Sequence, residues 1–132
     1  MSSPAEMSER PEWTREIHDE LAASAFNARV GSRLVSETDR VRVWHLTLSP
    51  GERIRFHRHV NDYFWTVLTD GKAKSRHSDG HVAVTEYKPG DTRHYHFGAA
   101  EFMLHDLENI GMTVLSFVTV EHLDGANSPL PI

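Results

Sequence analysis

The chain has 132 residues, 39% of them hydrophobic, and a formal net charge of −5 at pH 7 with histidine neutral. That length and apolar share suit one folded domain and exclude a disordered chain. The charge is spread along the sequence with no basic patch, so nucleic acid is not an expected partner.

Residues 1–28 read as an N-terminal extension. Its opening stretch, MSSPAEMSERPEW, lacks the hydrophobic segment of a signal peptide. No apolar run in the chain is long enough to span a bilayer. A cytoplasmic protein with no membrane partner is therefore expected. Within the extension, Pro11 to Ala25 is predicted to form a short amphipathic helix. Trp13, Ile17 and Leu21 recur on one face, Glu12, Arg15, Glu16, Asp19 and Glu20 occupy the others, and Pro11 suits a first turn.

From Arg29 to Leu123 the pattern changes to short β segments: VGSRLVS, VRVWHLTL, ERIRFHRHV, YFWTVLT, KAKSRH, HVAVTEY, TRHYHF, EFMLHDL and TVLSFVTVEH. Between them lie turn signals such as Ser49-Pro50-Gly51, Asp70-Gly71, Asp79-Gly80, Pro89-Gly90 and Asn109-Ile110-Gly111. Asp-Gly between strand-like flanks is a hairpin signal, because Gly accepts the positive φ of tight turns. Many short strands with no helix between them predict an all-β antiparallel sandwich or barrel. Residues 124–132 carry two prolines and are expected to lie extended over the barrel or a neighbouring subunit.

The chain has 10 histidines and no cysteine, so any metal falls to His, Asp or Glu. His57 and His59 stand two apart in a predicted strand and so project from one face. Pointing inward, such a pair can grip one metal ion; pointing outward, it is surface polarity. His94-Tyr95-His96 is a second alternating pair, able to line a site but more often found at a rim. Arg53 and Arg55 share the parity of His57, which allows Arg55 to face the barrel mouth and meet a carboxylate, although an exposed strand arginine is the commoner outcome. Tyr63, Trp65 and Tyr95 are candidates for a pocket wall. His18, His45, His77, His81 and His122 show no spacing logic and read as structural or surface residues.

Gly51, His57, His59 and Gly71 stand at the spacing G-x5-H-x-H-x4-E-x6-G. Tyr87-Lys88-Pro89-Gly90-Asp91 and His105-Asp106-Leu107-Glu108-Asn109-Ile110-Gly111 follow. Over residues 40–122 this resembles the cupin superfamily. It is especially similar to small bacterial cupins with an H-R-H-x-x-D-Y stretch, some of them associated with β-alanine degradation. The resemblance implies a double-stranded β-helix, or jelly-roll, barrel whose motif histidines converge on a metal.

Two departures matter. Phe64 stands where the motif expects Glu, so the usual carboxylate ligand is replaced by an apolar wall. The second motif is also stretched: counted strictly from Gly90, its histidine falls on Glu101, and in a later register His105 and Asn109 match. The later register is preferred, because Asn109-Ile110-Gly111 then leads into the last apolar strand. The resulting expectation is one divalent ion (Fe, Zn, Ni or Mn) on His57, His59 and His105. Arg55, Phe64, His94 and His96 would line the substrate pocket. Alternation from His105 puts Glu101 on the same face, as a fourth ligand, an acid/base, or simply a solvated strand-end residue. Glu101 and Tyr63 are the catalytic candidates.

Three neutral ligands leave the ion's charge unreduced and coordination positions open, which favours anionic or chelating small molecules. The expected function is a metal-dependent enzyme on a small carboxylate or dicarbonyl. With iron it would be similar to thiol and dicarbonyl-cleaving dioxygenases; with other metals, Lewis-acid isomerase or lyase chemistry fits. A non-catalytic ligand- or metal-binding barrel is the alternative. The family resemblance also implies a homodimer.

Overall fold

A computed structural model describes residues 13–132; Pro11 and the rest of residues 1–12 lie outside the described residues. Helix α1 spans Arg15–Ala23, with the Thr14 hydroxyl accepting from the Ile17 N–H as its N-cap. Nine strands follow: β1 Arg33–Glu37, β2 Val41–Leu48, β3 Arg53–His59, β4 Asp62–Val67, β5 Gly71–Arg76, β6 Val82–Tyr87, β7 Thr92–Tyr95, β8 Met103–Asn109 and β9 Leu115–His122. Each predicted β segment forms one of them.

The strands make two antiparallel sheets, ordered β1-β2-β9-β4-β7 and β3-β8-β5-β6. Sequential strands thus alternate between sheets for much of the chain, which is the winding of a double-stranded β-helix. Strand alternation aims Leu46, Leu48, Val67, Ala73, Tyr87, Leu115 and Phe117 into one buried cluster between the sheets. Burying a side chain such as Leu115 or Phe117 stabilises the fold by about 1.5–3 kcal/mol. Gly71 lies so close to Leu115 that a Cβ there would clash with its side chain, and Gly51 turns into β3 with φ +88°.

Trp13 and the Ile17/Leu21 face of α1 pack on Phe56 and Leu104, the outer side of the β3–β8 pair. The predicted apolar face of the helix therefore packs on the β3–β8 side of the four-stranded sheet. Beneath it, the Arg53 guanidinium joins the Glu20 carboxylate to Asp106 Oδ2 at 2.8 Å, and Arg76 joins Asp106 at 2.9 Å and Glu108 at 2.8 Å. Asp106 is fully buried. Burial pushes its carboxyl pKa up, against the opposing pull of the Arg76 N–H and the two guanidiniums. Burial would also raise Glu20, but the hydrogen bonds from Arg53 and the Phe56 N–H outweigh it and hold that carboxyl below its ordinary value.

The tail lies over the chain's own barrel. Leu130 accepts from Arg42 at 3.1 Å, and the Asn127 amide donates to the Val60 and Gly98 carbonyls at 3.1 and 3.0 Å. No helix among the described residues is long and apolar enough to cross a membrane.

Arg53→Met removes the guanidinium shared by the buried carboxylates of Glu20 and Asp106, leaving Asp106 to Arg76 and Glu20 to the Phe56 N–H. It is expected to lower the unfolding free energy by about 3 kcal/mol, read from urea midpoints. Because the Glu20 pKa is depressed in the folded state, the stability it contributes is complete above its ordinary value of 4.5. It is lost as pH falls through the folded value, so release of Trp13 from its site, followed by fluorescence, should occur below pH 4.5 and move to higher pH in Arg53→Met.

Candidate metal centre

In the β3–β8 pair His57 stands directly opposite His105 and His59 opposite Met103. Both histidines of β3 turn inward, as does His105. Their ligand nitrogens all lie within 4.8 Å of one another, and their ring centroids are 4.7–5.1 Å apart. The register option in which His105 rather than Glu101 joins the pair is the one found in the structure.

Hydrogen bonds orient two of the rings. His57 Nδ1 donates to the Arg55 carbonyl at 2.8 Å, which leaves Nε2 with its lone pair. The Ser75 hydroxyl gives its single proton to the Asp106 carbonyl at 2.7 Å. Its oxygen therefore accepts from His105 Nδ1 at 2.9 Å and from His77 Nε2 at 3.3 Å. That again leaves His105 Nε2 free.

His59 differs. It stacks on Tyr63 at 4.0 Å and 8°, and its Nδ1 is buried with no hydrogen-bond partner among the described residues. A buried polar atom left unmet costs about 1–3 kcal/mol. Burial lowers the His57 pKa to about 4; burial and then repulsion from neighbouring imidazoles lower His59 and His105 well below their ordinary value. Three neutral imidazoles brought together and an unmet nitrogen are a donor set that fits a divalent cation.

The cluster forms the inner end of a cavity of about 410 Å³. Tyr63, Trp65, Tyr87, Tyr95 and Phe117 supply an aromatic wall, and Ser75, His77, Thr119 and Arg93 supply polar groups. Strands β6 and β7 are each the edge of their sheet, and both contribute lining residues. No Asp, Glu or Lys lines the cavity among the described residues.

Several expected site residues lie elsewhere. A register shift between Ile54 and His57 marks a β-bulge, so parity does not carry from Arg55 to His57. Arg53 instead meets Glu20 and Asp106, and the side chain of Arg55 is 66% exposed, 3.6 Å from Glu20. Phe64 faces outward against His94 and His122, and Tyr63 is the inward residue of β4 beside the cluster. His94 is exposed on that outer face, and His96 bonds Asp62 at 3.0 Å outside the cavity. Glu101 precedes β8 in a turn, where its carboxylate accepts from the Gly98 N–H at 2.6 Å; strand alternation does not reach it. Asn109 pins the β8–β9 connection, its amide donating to Leu48 and Thr113 and its oxygen accepting from Gly111.

Sequence reasoning missed Ser75 and His77. They stand two apart in KAKSRH, so alternation placed them on one face; what it lacked was the sheet order that sets β5 beside β8. Burial, then the charge of His81, lowers the His77 pKa to about 4, and its ring stacks on His81 at 3.9 Å.

Fold and site together define a protein with the cupin fold and a three-histidine candidate metal centre. No family model matches the chain. It is similar to a cupin domain from Bordetella pertussis Tohama I, at 23% identity and a TM-score of 0.60 over 68% of this chain and 88% of that one. It is also similar to an uncharacterized conserved protein with a double-stranded β-helix domain from Klebsiella pneumoniae subsp. pneumoniae MGH 78578. There the identity is 24% and the TM-score 0.56, over 85% of this chain and 87% of that one. In sequence it is 34% identical over 77 residues to the oxalate decarboxylase OxdC of Bacillus subtilis (strain 168), a match spanning 57% of this chain and 19% of that enzyme.

Ser75→Ala leaves His105 Nδ1 without its acceptor. Zinc affinity, measured by competition with a chromogenic chelator, is expected to fall about tenfold while the circular dichroism spectrum is retained.

Proposed function

We propose that the chain is a small metal-dependent cupin enzyme acting on a small carboxylate or dicarbonyl metabolite. The observation that carries this reading is the convergence of three neutral imidazoles at the inner end of a cavity free of carboxylates. His57, His59 and His105 would hold the ion, which when bound supplies Lewis acidity and, if it is iron, redox chemistry with O₂. With no anionic ligand or wall to offset it, the ion's charge favours an anionic, chelating partner. The partial match to an oxalate decarboxylase supports the same substrate chemistry, oxalate being a small dicarboxylate.

The residues of the wall have separable tasks. The aromatic side chains exclude water from the inner end and strengthen electrostatic interactions there. Burial raises the Tyr63 phenol pKa well above its ordinary value, so at neutral pH it keeps its proton and acts as a hydrogen-bond donor. Ser75 holds the His105 ring in place. Glu101, engaged with Gly98, is not positioned to serve as the acid/base.

That last observation favours a second reading, a barrel that binds a small ligand or metal without turnover, because proton transfer needs a group within reach of the ligand. The proposal further includes a cytoplasmic setting and a homodimer. Val43, Val120 and Phe64 form a half-buried cross-strand row on the outer face of the five-stranded sheet, suited to a second copy.

Protein purified without an affinity tag is expected to contain a stoichiometric divalent metal by elemental analysis. His57→Ala/His59→Ala should retain less than about a tenth of it; full retention would overturn the site. Iron with oxygen uptake on dicarbonyl or thiol substrates selects dioxygenase chemistry, and zinc or nickel without uptake selects Lewis-acid chemistry. A metal-loaded protein that binds carboxylates but converts none supports the binding reading.

A further inference from the structure

The cavity has a polarity along its length that the histidine cluster alone does not explain. At its inner end His57 and His59 are buried. From His59 a row of rings leads outward: His59 on Tyr63 at 4.0 Å and 8°, then Tyr63 on Tyr95 at 4.6 Å and 7°. Beyond them the Arg93 guanidinium lies 5.1 Å from the Tyr95 ring centroid. The register explains the row, since Tyr63 stands opposite Tyr95 and Trp65 opposite Arg93, all four lining the cavity. Trp65 in turn meets Phe117 and Tyr87 edge-on at 5.4 and 5.5 Å, so the span between the two ends is apolar and aromatic.

Arg93 is exposed at the edge strand β7. Arg42, Arg53, Arg55 and Arg76 each sit within ion-pair distance of a carboxylate, and Arg93 has no such partner among the described residues. With no Asp or Glu on the wall, its charge faces the cavity without compensation. A guanidinium held over an aromatic face by a cation–π contact keeps N–H groups available for a planar carboxylate.

The geometry points to Arg93 as the binding site for a second, distal carboxylate of the ligand. Resting on the metal-centre reading above, the ligand class is an elongated one: a chelating oxygen pair at the histidines, a flat apolar body along Tyr63, Tyr95 and Trp65, and a carboxylate at Arg93. A volume of about 410 Å³ lies near the small end of the range for small-molecule pockets and accommodates a single-ring body.

Isothermal titration of the zinc-loaded full chain tests this with three probes: phenylglyoxylate, 4-carboxyphenylglyoxylate and its 4-carbamoyl analogue, in which the distal group is uncharged. The 4-carboxy probe is expected to bind about fivefold tighter than the 4-carbamoyl one, the size suited to an exposed ion pair. Arg93→Gln, with its zinc content as the check on folding, should make the two equal. A preference that survives Arg93→Gln, or that is absent in the wild type, overturns the assignment. If zinc is held but none of the probes binds, the ligand class fails and the metal centre stands. If the wild type holds no zinc, nickel, iron or manganese, the metal reading fails and this inference falls with it.

Discussion

The pairing of β3 with β8, in which His57 stands opposite His105, is the constraint on which the site depends. Each of the two strands is two-faced. Their inner residues His57, His59, Met103, His105 and Leu107 border the cavity or its core, and their outer residues Phe56, Leu104 and Asp106 lie under the helix. A slip of one residue would exchange the faces, sending the imidazoles under α1 and Asp106 into the cavity. Phe56 and Leu104 against Trp13 resist that slip through burial. The Glu20–Arg53–Asp106–Arg76 network resists it electrostatically, because Asp106 has no comparable partners on the inner side.

The two faces divide the charges. All the carboxylates engaged by Arg53 and Arg76 lie on the outer side of the four-stranded sheet, and the cavity wall holds none among the described residues. The inner end of the cavity is thus composed of neutral nitrogens, a hydroxyl and aromatic rings. Such a surface presents neutral nitrogen donors of the kind that hold a divalent cation. Ser75 links the two sides: its proton goes to the Asp106 carbonyl on the backbone of β8, and its oxygen receives His105. The orientation of a candidate ligand is in this way tied to the strand whose outer face carries the ion-pair network.

Much of this was legible in the chain. The nine β segments were marked by alternation and by Gly-containing turns, and the helix face by Trp13, Ile17 and Leu21; these are local signals that survive folding. The pair His57 and His59 was legible for the same reason, since two residues on an unbroken stretch of strand must share a face. The spacing of His105 and Asn109 ahead of Gly111 carried further, because the Asn109 oxygen takes the Gly111 N–H two residues on, a local contact, although its amide also reaches Leu48 on β2.

What the sequence by itself determined was therefore the set of strands, the face of the helix and the histidine pair, all governed by neighbours in the chain. Only the tertiary structure decided which other side chains meet them. The bulge at Arg55–Phe56 shifts parity along β3 and turns Arg53 and Arg55 away from the cavity, and no local pattern announces a bulge. The start of β8 at Met103 leaves Glu101 in a turn, and the facing of β4 puts Tyr63 inward and Phe64 outward. Ser75, His77 and Arg93 belong to the cavity because sheet order sets β5 beside β8 and leaves β7 at an edge. Those are contacts between residues far apart in sequence, and their geometry is settled by how two twisted sheets close on one core.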